Sequence, residues 1–259
     1  MLKTRSIGLN IAGVPLLNNI SISCHKGSVT ALMGPNGAGK TSLLRVISGE
    51  YKASQGTVDI NGRGANDWAR PEIAKFMAVL PQSSTLDFAF TAEEVVALSR
   101  TPHNTGLSRD LEIISSALSM VDASYLADRS FVKLSGGEKQ RVHLARVLAQ
   151  IWEHCEDQSS DGGILLLDEP SASFDLAHQI MLIEIVQKIS TAGVTVIMVM
   201  HDLNLAAKCA DQLVFMNSGE CTAMGTVPEL LTSEMIRKVY SVNAEVGLHP
   251  VDGTPLIII

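Results

Sequence analysis

The chain has 259 residues, 46% of them hydrophobic, enough to bury one substantial core or a core with an added lobe. Twenty-seven acidic against 20 basic side chains give a formal net charge of -7, which argues against an extensive nucleic-acid footprint. No run approaches the roughly 18 continuous apolar residues of a membrane-spanning helix, and the longest candidate, GVTVIMVM at 193–200, is strand-sized. The opening MLKTRSIGLNIAG alternates like a strand and lacks a signal-peptide core. Cys24, Cys155, Cys209 and Cys221 are scattered without a CxxC pair, so they read as free buried thiols of a reducing, cytosolic compartment.

In chain order, residues 3–11 and 19–24 read as short strands, and SVTALMG at 28–34 as a buried strand running into a glycine turn. A helix is predicted from Lys40 to Ile47, stopped by Gly49. GTVDING at 56–62 reads as strand and turn, and KFMAVLPQ at 75–82 as a strand ended by Pro81. From 91 to about 130 the pattern turns helical. Thr91 and Glu94 have capping-box spacing, and Ser108 or Asp110 is the expected cap of the next helix. A helix over 137–152 returns to the core and a polar loop spans 153–163. Strand 164–168, helix 175–190, strand 195–200, helix 203–209 and strand 212–216 follow. The tail from 244 reads as one or two small strands around a DG turn. Strands alternating with helices predict an α/β fold with a mostly parallel sheet covered on both faces, interrupted by a helical lobe.

GPNGAGKT at 34–41 matches G-x-x-x-x-G-K-[ST] between an apolar strand and a helix, the context of a phosphate loop. Gly34, Gly37 and Gly39 let the backbone curl so that its amides face phosphate oxygens, and the helix start adds unpaired N–H groups. Lys40 would reach the β- and γ-phosphates, and the Thr41 hydroxyl would meet Mg²⁺. Asp168 ends a strand of four apolar residues, which makes it the expected partner of the Mg²⁺ shell. Glu169, next along, could align an attacking water. His201 follows another strand and could contact the γ-phosphate. Gln82, at the start of the lobe, has an amide able to reach Mg²⁺ or water.

One further corner stands out in KLSGGEKQRVHLARVLA at 133–149. Ser135, Gly136 and Gly137 put a hydroxyl and a fresh helix N-terminus where an anion would be welcome, with no nucleophile or metal ligand beside them. Chain order assigns them to the helical lobe, so a second copy could supply them in trans to a nucleotide on the first.

These motifs, in this order, resemble those of ABC transporter ATP-binding subunits over essentially the whole chain. GPNGAGKT is similar to the family's Walker A, ILLLDE at 164–169 to its Walker B, and LSGGE at 134–138 to its signature. Gln82 resembles the Q-loop residue, His201 the switch histidine and Asp175 the D-loop aspartate. The resemblance implies a P-loop NTPase core with N-terminal antiparallel strands, spanning 1–259 as a single domain. It would hold a helical subdomain at about 83–150 and a short C-terminal extension at about 240–259. ATP and Mg²⁺ are implied as ligands. Gly34, Pro35, Asn36, Gly37, Ala38, Gly39, Lys40, Thr41 and Ser42 would bind ATP on one subunit, facing Ser135, Gly136, Gly137 and Asp175 of the other. Thr41, Gln82 and Asp168 would hold the metal, with Glu169 as catalytic base helped by His201 and Gln82. The family stacks an aromatic on adenine, whereas the matching stretch NIAGVPLL offers only Ile11 near that position. Ser173 and Phe174 also depart from the usual D-loop pattern.

The implied assembly is a head-to-tail homodimer under two transmembrane permease subunits, on the cytoplasmic face of the inner membrane. A periplasmic binding protein would act through the permease, and no nucleic acid would be involved. AFTAEEVVALSRTPH at 89–103 and DLAHQ at 175–179 resemble importers of iron-siderophores, cobalamin and haem. The loop at 153–163 and the closing GLHPVDGTPLIII are most similar to the haemin-importing branch, with siderophore or cobalamin import as the alternative. Neither Cys24–His25 nor His154–Cys155 reads as a haem-ligand pair, because an ATPase subunit need not touch its cargo. His103, His143, His178 and His249 have no metal-ligand spacing.

Overall fold

A computed structural model describes residues 2–82, 86, 88–156 and 162–259. They form two compact units, one of residues up to Trp68 together with Thr195–Ile259, the other of Ala69–Val194. In the first unit, β1 (Leu2–Ile11) turns through Ala12 and Gly13 into β2 (Val14–Ile20). Both turn residues have positive φ, the geometry that matches the twist of a tight hairpin. β3 (Ser23–Cys24) pairs with the start of β1, so the stretch expected as one strand over 19–24 is two. β4 (Val29–Met33) is buried at all five positions. α1 (Lys40–Ile47) buries Leu43, Leu44, Val46 and Ile47, and stops before Gly49 as the sequence predicts. β5 (Gln55–Ile60) and β6 (Arg63–Gly64) complete an antiparallel sheet ordered β2-β1-β5-β6.

The second unit opens with α2 (Arg70–Phe76) and β7 (Met77–Leu80). The strand expected at 75–82 is thus shorter: Pro71 sits in the first turn of a helix that runs on to Phe76 before the chain extends. Helices α3 (Ala92–Ala97), α4 (Leu107–Met120) and α5 (Gly136–Gln150) enclose Val95, Val96, Ile113, Ala117, Phe131, Val142 and Leu144. Thr91 caps α3 through the expected box, its Oγ1 accepting from the Glu94 N–H at 3.2 Å. α4 starts earlier than expected, after Gly106, so Ser108 and Asp110 lie inside it. Asp110 instead accepts from the buried Arg100 at 2.8 Å, and Arg100 also pairs with Glu153. That glutamate belongs to α6 (Trp152–Glu156), a short helix where a loop was expected; residues 157–161 of that loop lie outside the described ones. β8 (Ile164–Asp168), parallel to β7, and α7 (Leu176–Thr191) close the unit.

The chain then re-enters the first unit with β9 (Thr195–Val199), α8 (Leu203–Cys209), β10 (Gln212–Asn217) and β11 (Glu220–Thr226). There β10, β4 and β9 run parallel, with Leu32 opposite both Val214 and Val199, and β11 is antiparallel on the outside. Continuous apolar runs suit strands covered on both faces. Two short helices, α9 (Val227–Leu230) and α10 (Ser233–Tyr240), precede the hairpin of β12 (Glu245–Leu248) and β13 (Pro255–Ile258).

Candidate nucleotide site

The phosphate loop is built by its own backbone. β4 delivers the chain to Gly34, whose φ of 143° brings its α-carbon so close to β10 that a Cβ would lie 2.1 Å from the Met216 carbonyl oxygen. At the far end Gly39 adopts φ 97° as the N-cap of α1, where a Cβ would meet Leu17 Cδ2 at 2.8 Å. The Gly219 N–H donates to the Ala38 carbonyl at 3.1 Å, tying the loop to the β10–β11 turn. Lys40 is only 6% exposed, and its ammonium donates to the carbonyls of Gly34 at 2.7 Å and Pro35 at 2.9 Å. Pro35, Thr41 and Ser42 are half-buried, while Asn36 and Gly37 stand exposed at the apex. No acidic side chain occupies the first turn of α1, so the helix start and the ammonium together favour an anion.

The same unit brings His201 to this edge. β9 is the in-register parallel neighbour of β4, and His201 lies two residues past the end of β9, exposed, just before the Asp202 cap of α8. Ile11 ends β1 at 40% exposure, opposite the exposed Val14. Leu16 and Leu17 of the same hairpin lie against Gly39, so the hairpin flanks the loop with aliphatic surface.

The second unit carries the acidic residues. Asp168 is buried to 4% exposure at the end of β8. Glu169 follows with φ 51°, a left-handed conformation uncommon for a residue with a side chain. The Gln82 side-chain amide donates to the Glu169 carboxylate at 2.9 Å. Gln82 lies two residues beyond β7 rather than in it, and its direct partnership with Glu169 was not foreseen from the sequence.

Ser135 is the N-cap of α5 in a full capping box: the Glu138 carboxylate accepts from the Ser135 N–H at 2.8 Å. That backbone hydrogen bond holds the Glu138 carboxyl below the usual glutamate range. Gly137 packs against the turn after Glu169, where a Cβ would sit 3.1 Å from the Ser173 carbonyl oxygen. Gln140, one turn on, donates to the Pro170 carbonyl at 3.4 Å. Asp175 caps α7, accepting from the His178 N–H at 2.9 Å and meeting its Nδ1 at 2.7 Å, and the backbone bond lowers its pKa. The second unit thereby joins Ser135–Gly137 to the 169–175 turn, a link that neither motif announces alone.

Among the described residues no three His, Cys, Asp or Glu side chains form a metal cage. Hard oxygen donors of the Thr41, Asp168 and Gln82 type suit Mg²⁺, which takes few protein ligands and completes its shell with phosphate and water.

The sequence pattern of the ABC transporter family matches residues 17–172. The hemin import ATP-binding protein HmuV of Pseudomonas putida is 44% identical over 258 residues, covering 100% of this chain and 99% of its own. Its namesake from Gloeobacter violaceus is 44% identical over 260 residues, covering 100% and 94%. Among solved structures, an ATP-binding subunit of an ABC transporter superposes with a TM-score of 0.77 at 21% identity, covering 93% of this chain and 94% of that one. A dimeric ATP-binding cassette bound to ADP and Pi gives 0.76 at 24% identity, covering 87% and 98%.

Proposed function

The chain belongs to the ABC transporter family, and on that premise we propose that it is the ATP-hydrolysing subunit of a haemin importer. One observation carries the cargo: relatives named for hemin import are 41–44% identical over the chain's whole length, including the C-terminal hairpin. Gly34 to Ser42 bind the ATP phosphates through the loop amides, Lys40 moving from the Gly34 and Pro35 carbonyls to the phosphate oxygens. Thr41, Asp168 and Gln82 hold Mg²⁺, which when bound neutralises charge on the phosphoryl group being transferred. Glu169 accepts a proton from the attacking water, and Gln82 sets the orientation of that carboxylate. His201 contacts the γ-phosphate from the β9 edge. Ile11 and Val14 offer the adenine an aliphatic rest in place of an aromatic one.

The chain acts as a homodimer, with Ser135, Gly136, Gly137 and Asp175 of one subunit closing on ATP held by the other. Within each subunit the lobe at about 83–150 meets one of two transmembrane permease subunits, and a periplasmic haem-binding protein delivers cargo to them. No helix among the described residues is long and apolar enough to cross a membrane; attachment to the inner face is through the permease. The test is ATP turnover by the subunit reconstituted with permease and binding protein. Haem-loaded binding protein raises turnover above the empty form if the cargo is haem. A response to a siderophore or to cobalamin instead keeps the ATPase and overturns haem. Glu169→Gln retains ATP binding and lowers turnover by about 10²-fold or more; normal turnover in that variant removes the base assignment.

A further inference from the structure

The C-terminal hairpin is docked on the helix that carries His201 into place. Asn204 lies three residues after His201, in the first turn of α8. Its backbone N–H donates to the Asp202 carboxylate at 2.8 Å, within the cap that ends the His201 corner. Its side-chain amide pairs in both directions with the backbone of one residue of β13: Oδ1 accepts from the Ile257 N–H at 2.8 Å, and Nδ2 donates to the Ile257 carbonyl at 3.3 Å. Ile257 itself is 7% exposed, so this pairing is sheltered where water competes poorly. The hairpin turn is internally braced, Asp252 accepting from the Thr254 hydroxyl at 2.7 Å and lying 3.1 Å from His249 Nδ1. The hairpin is therefore joined to α8 at Asn204, three residues from His201.

We infer that Asn204 is a positioning residue for His201, and that the hairpin at 245–258 is the brace it works against. The inference rests on the assignment of His201 to the γ-phosphate. The backbone that carries the imidazole runs directly into a helix cap, so the placing of that cap bears on the direction of the ring. Asp202 supplies the cap, and Asn204 ties that cap to a second element, so the imidazole enters the reaction already aimed. Small errors in aim cost rate rather than binding: a displacement of about 1 Å can lower turnover by up to about 10²-fold. ATP affinity, set by the loop and α1, is left alone.

The experiment is a double-mutant cycle on the full-length chain with its permease, reading turnover and ATP affinity separately. Asn204→Ala is expected to lower kcat about tenfold while the Kd for ATP changes less than about twofold. Asn204→Asp, which keeps the acceptor for the Ile257 N–H, recovers part of that loss. In the His201→Ala background, Asn204→Ala has no further effect, because the residue it positions is gone. An equal loss in both backgrounds shows a general structural role and overturns the inference, as does wild-type kcat in Asn204→Ala. Full turnover in His201→Ala would instead remove the catalytic assignment of the histidine, and the positioning role with it.

Discussion

The chain has two glycine-bearing corners suited to an anion, and they are built in opposite ways. In the phosphate loop the glycines answer to the fold itself: a Cβ on Gly34 would lie 2.1 Å from Met216 O, and one on Gly39 would lie 2.8 Å from a Leu17 methyl. Around Ser135 the backbone is an ordinary helix start, secured by side chains in a capping box. A Cβ on Gly136 would meet nothing within 4 Å among the described residues. The first corner is closed by its own unit and has Lys40 buried within it. The second is finished locally but presents a bare, small surface outward, which is what a corner completed by another subunit requires.

The largest effect should come from forcing a side chain into the closed corner. Gly34→Ala combines a backbone conformation reserved for glycine with a main-chain clash, and is expected to cost more than about 3 kcal/mol and abolish ATP binding. Urea unfolding with ATP titration checks both; a folded variant with wild-type affinity would break the steric half of the comparison. Ser135→Arg addresses the open corner. Each subunit should bind ATP normally while turnover falls by about 10²-fold, the scale for losing a group aimed at transition-state charge. Ordinary dimer-dependent turnover in that variant would sink the trans arrangement.

A smaller effect separates the two corners by pH. The Glu138 carboxyl is held below its usual range by the Ser135 N–H, so the charge contribution of the cap is fully present above the unfolded glutamate range near about 4.3. It is lost as pH falls through the lower folded value. Glu138→Gln should therefore be less stable than the parent at pH 7 and converge with it in acid, read from unfolding free energies at both pH values. A gap that persisted at about pH 3 would show that the cap owes nothing to that charge.

How far each corner was legible follows from how it is built. GPNGAGKT is a local pattern between a buried strand and a helix, so its eight residues declared both geometry and ligand. The helix start at Ser135–Gly137 was equally local, and chain order suggested a second copy; the ATP facing it came from resemblance, and the Ser135–Glu138 box came from the structure. The Gln82–Glu169 bond spans 87 positions, and the Asn204–Ile257 pair 53. Contacts of that range are set by packing. α2 escaped notice because KFMAVL is an apolar run that fits strand or helix, and the helix claims only its first two residues. β11 was missed because Glu220–Thr226 is half-buried and carries no clean alternation.

The smallest stability effect gives the sharpest test of the comparison. Gly136 is the first residue of α5, its φ is not in the left-handed region, and a methyl group there meets open space. Gly136→Ala should then leave the subunit as stable as before, or more stable by about 0.5 kcal/mol, since alanine costs the unfolded chain fewer conformations. ATP binding by the separated subunit should not change either, because the loop that binds it is untouched. Turnover by the assembled dimer should nevertheless fall, since the methyl group occupies surface that the other subunit's nucleotide must approach. A methyl group that meets nothing within 4 Å among its own subunit's described residues, and that leaves stability and ATP binding unchanged yet lowers turnover, acts through the other subunit. If turnover were unchanged as well, the bare surface at Gly136 would have no reader, and the two corners would differ only in how they are built.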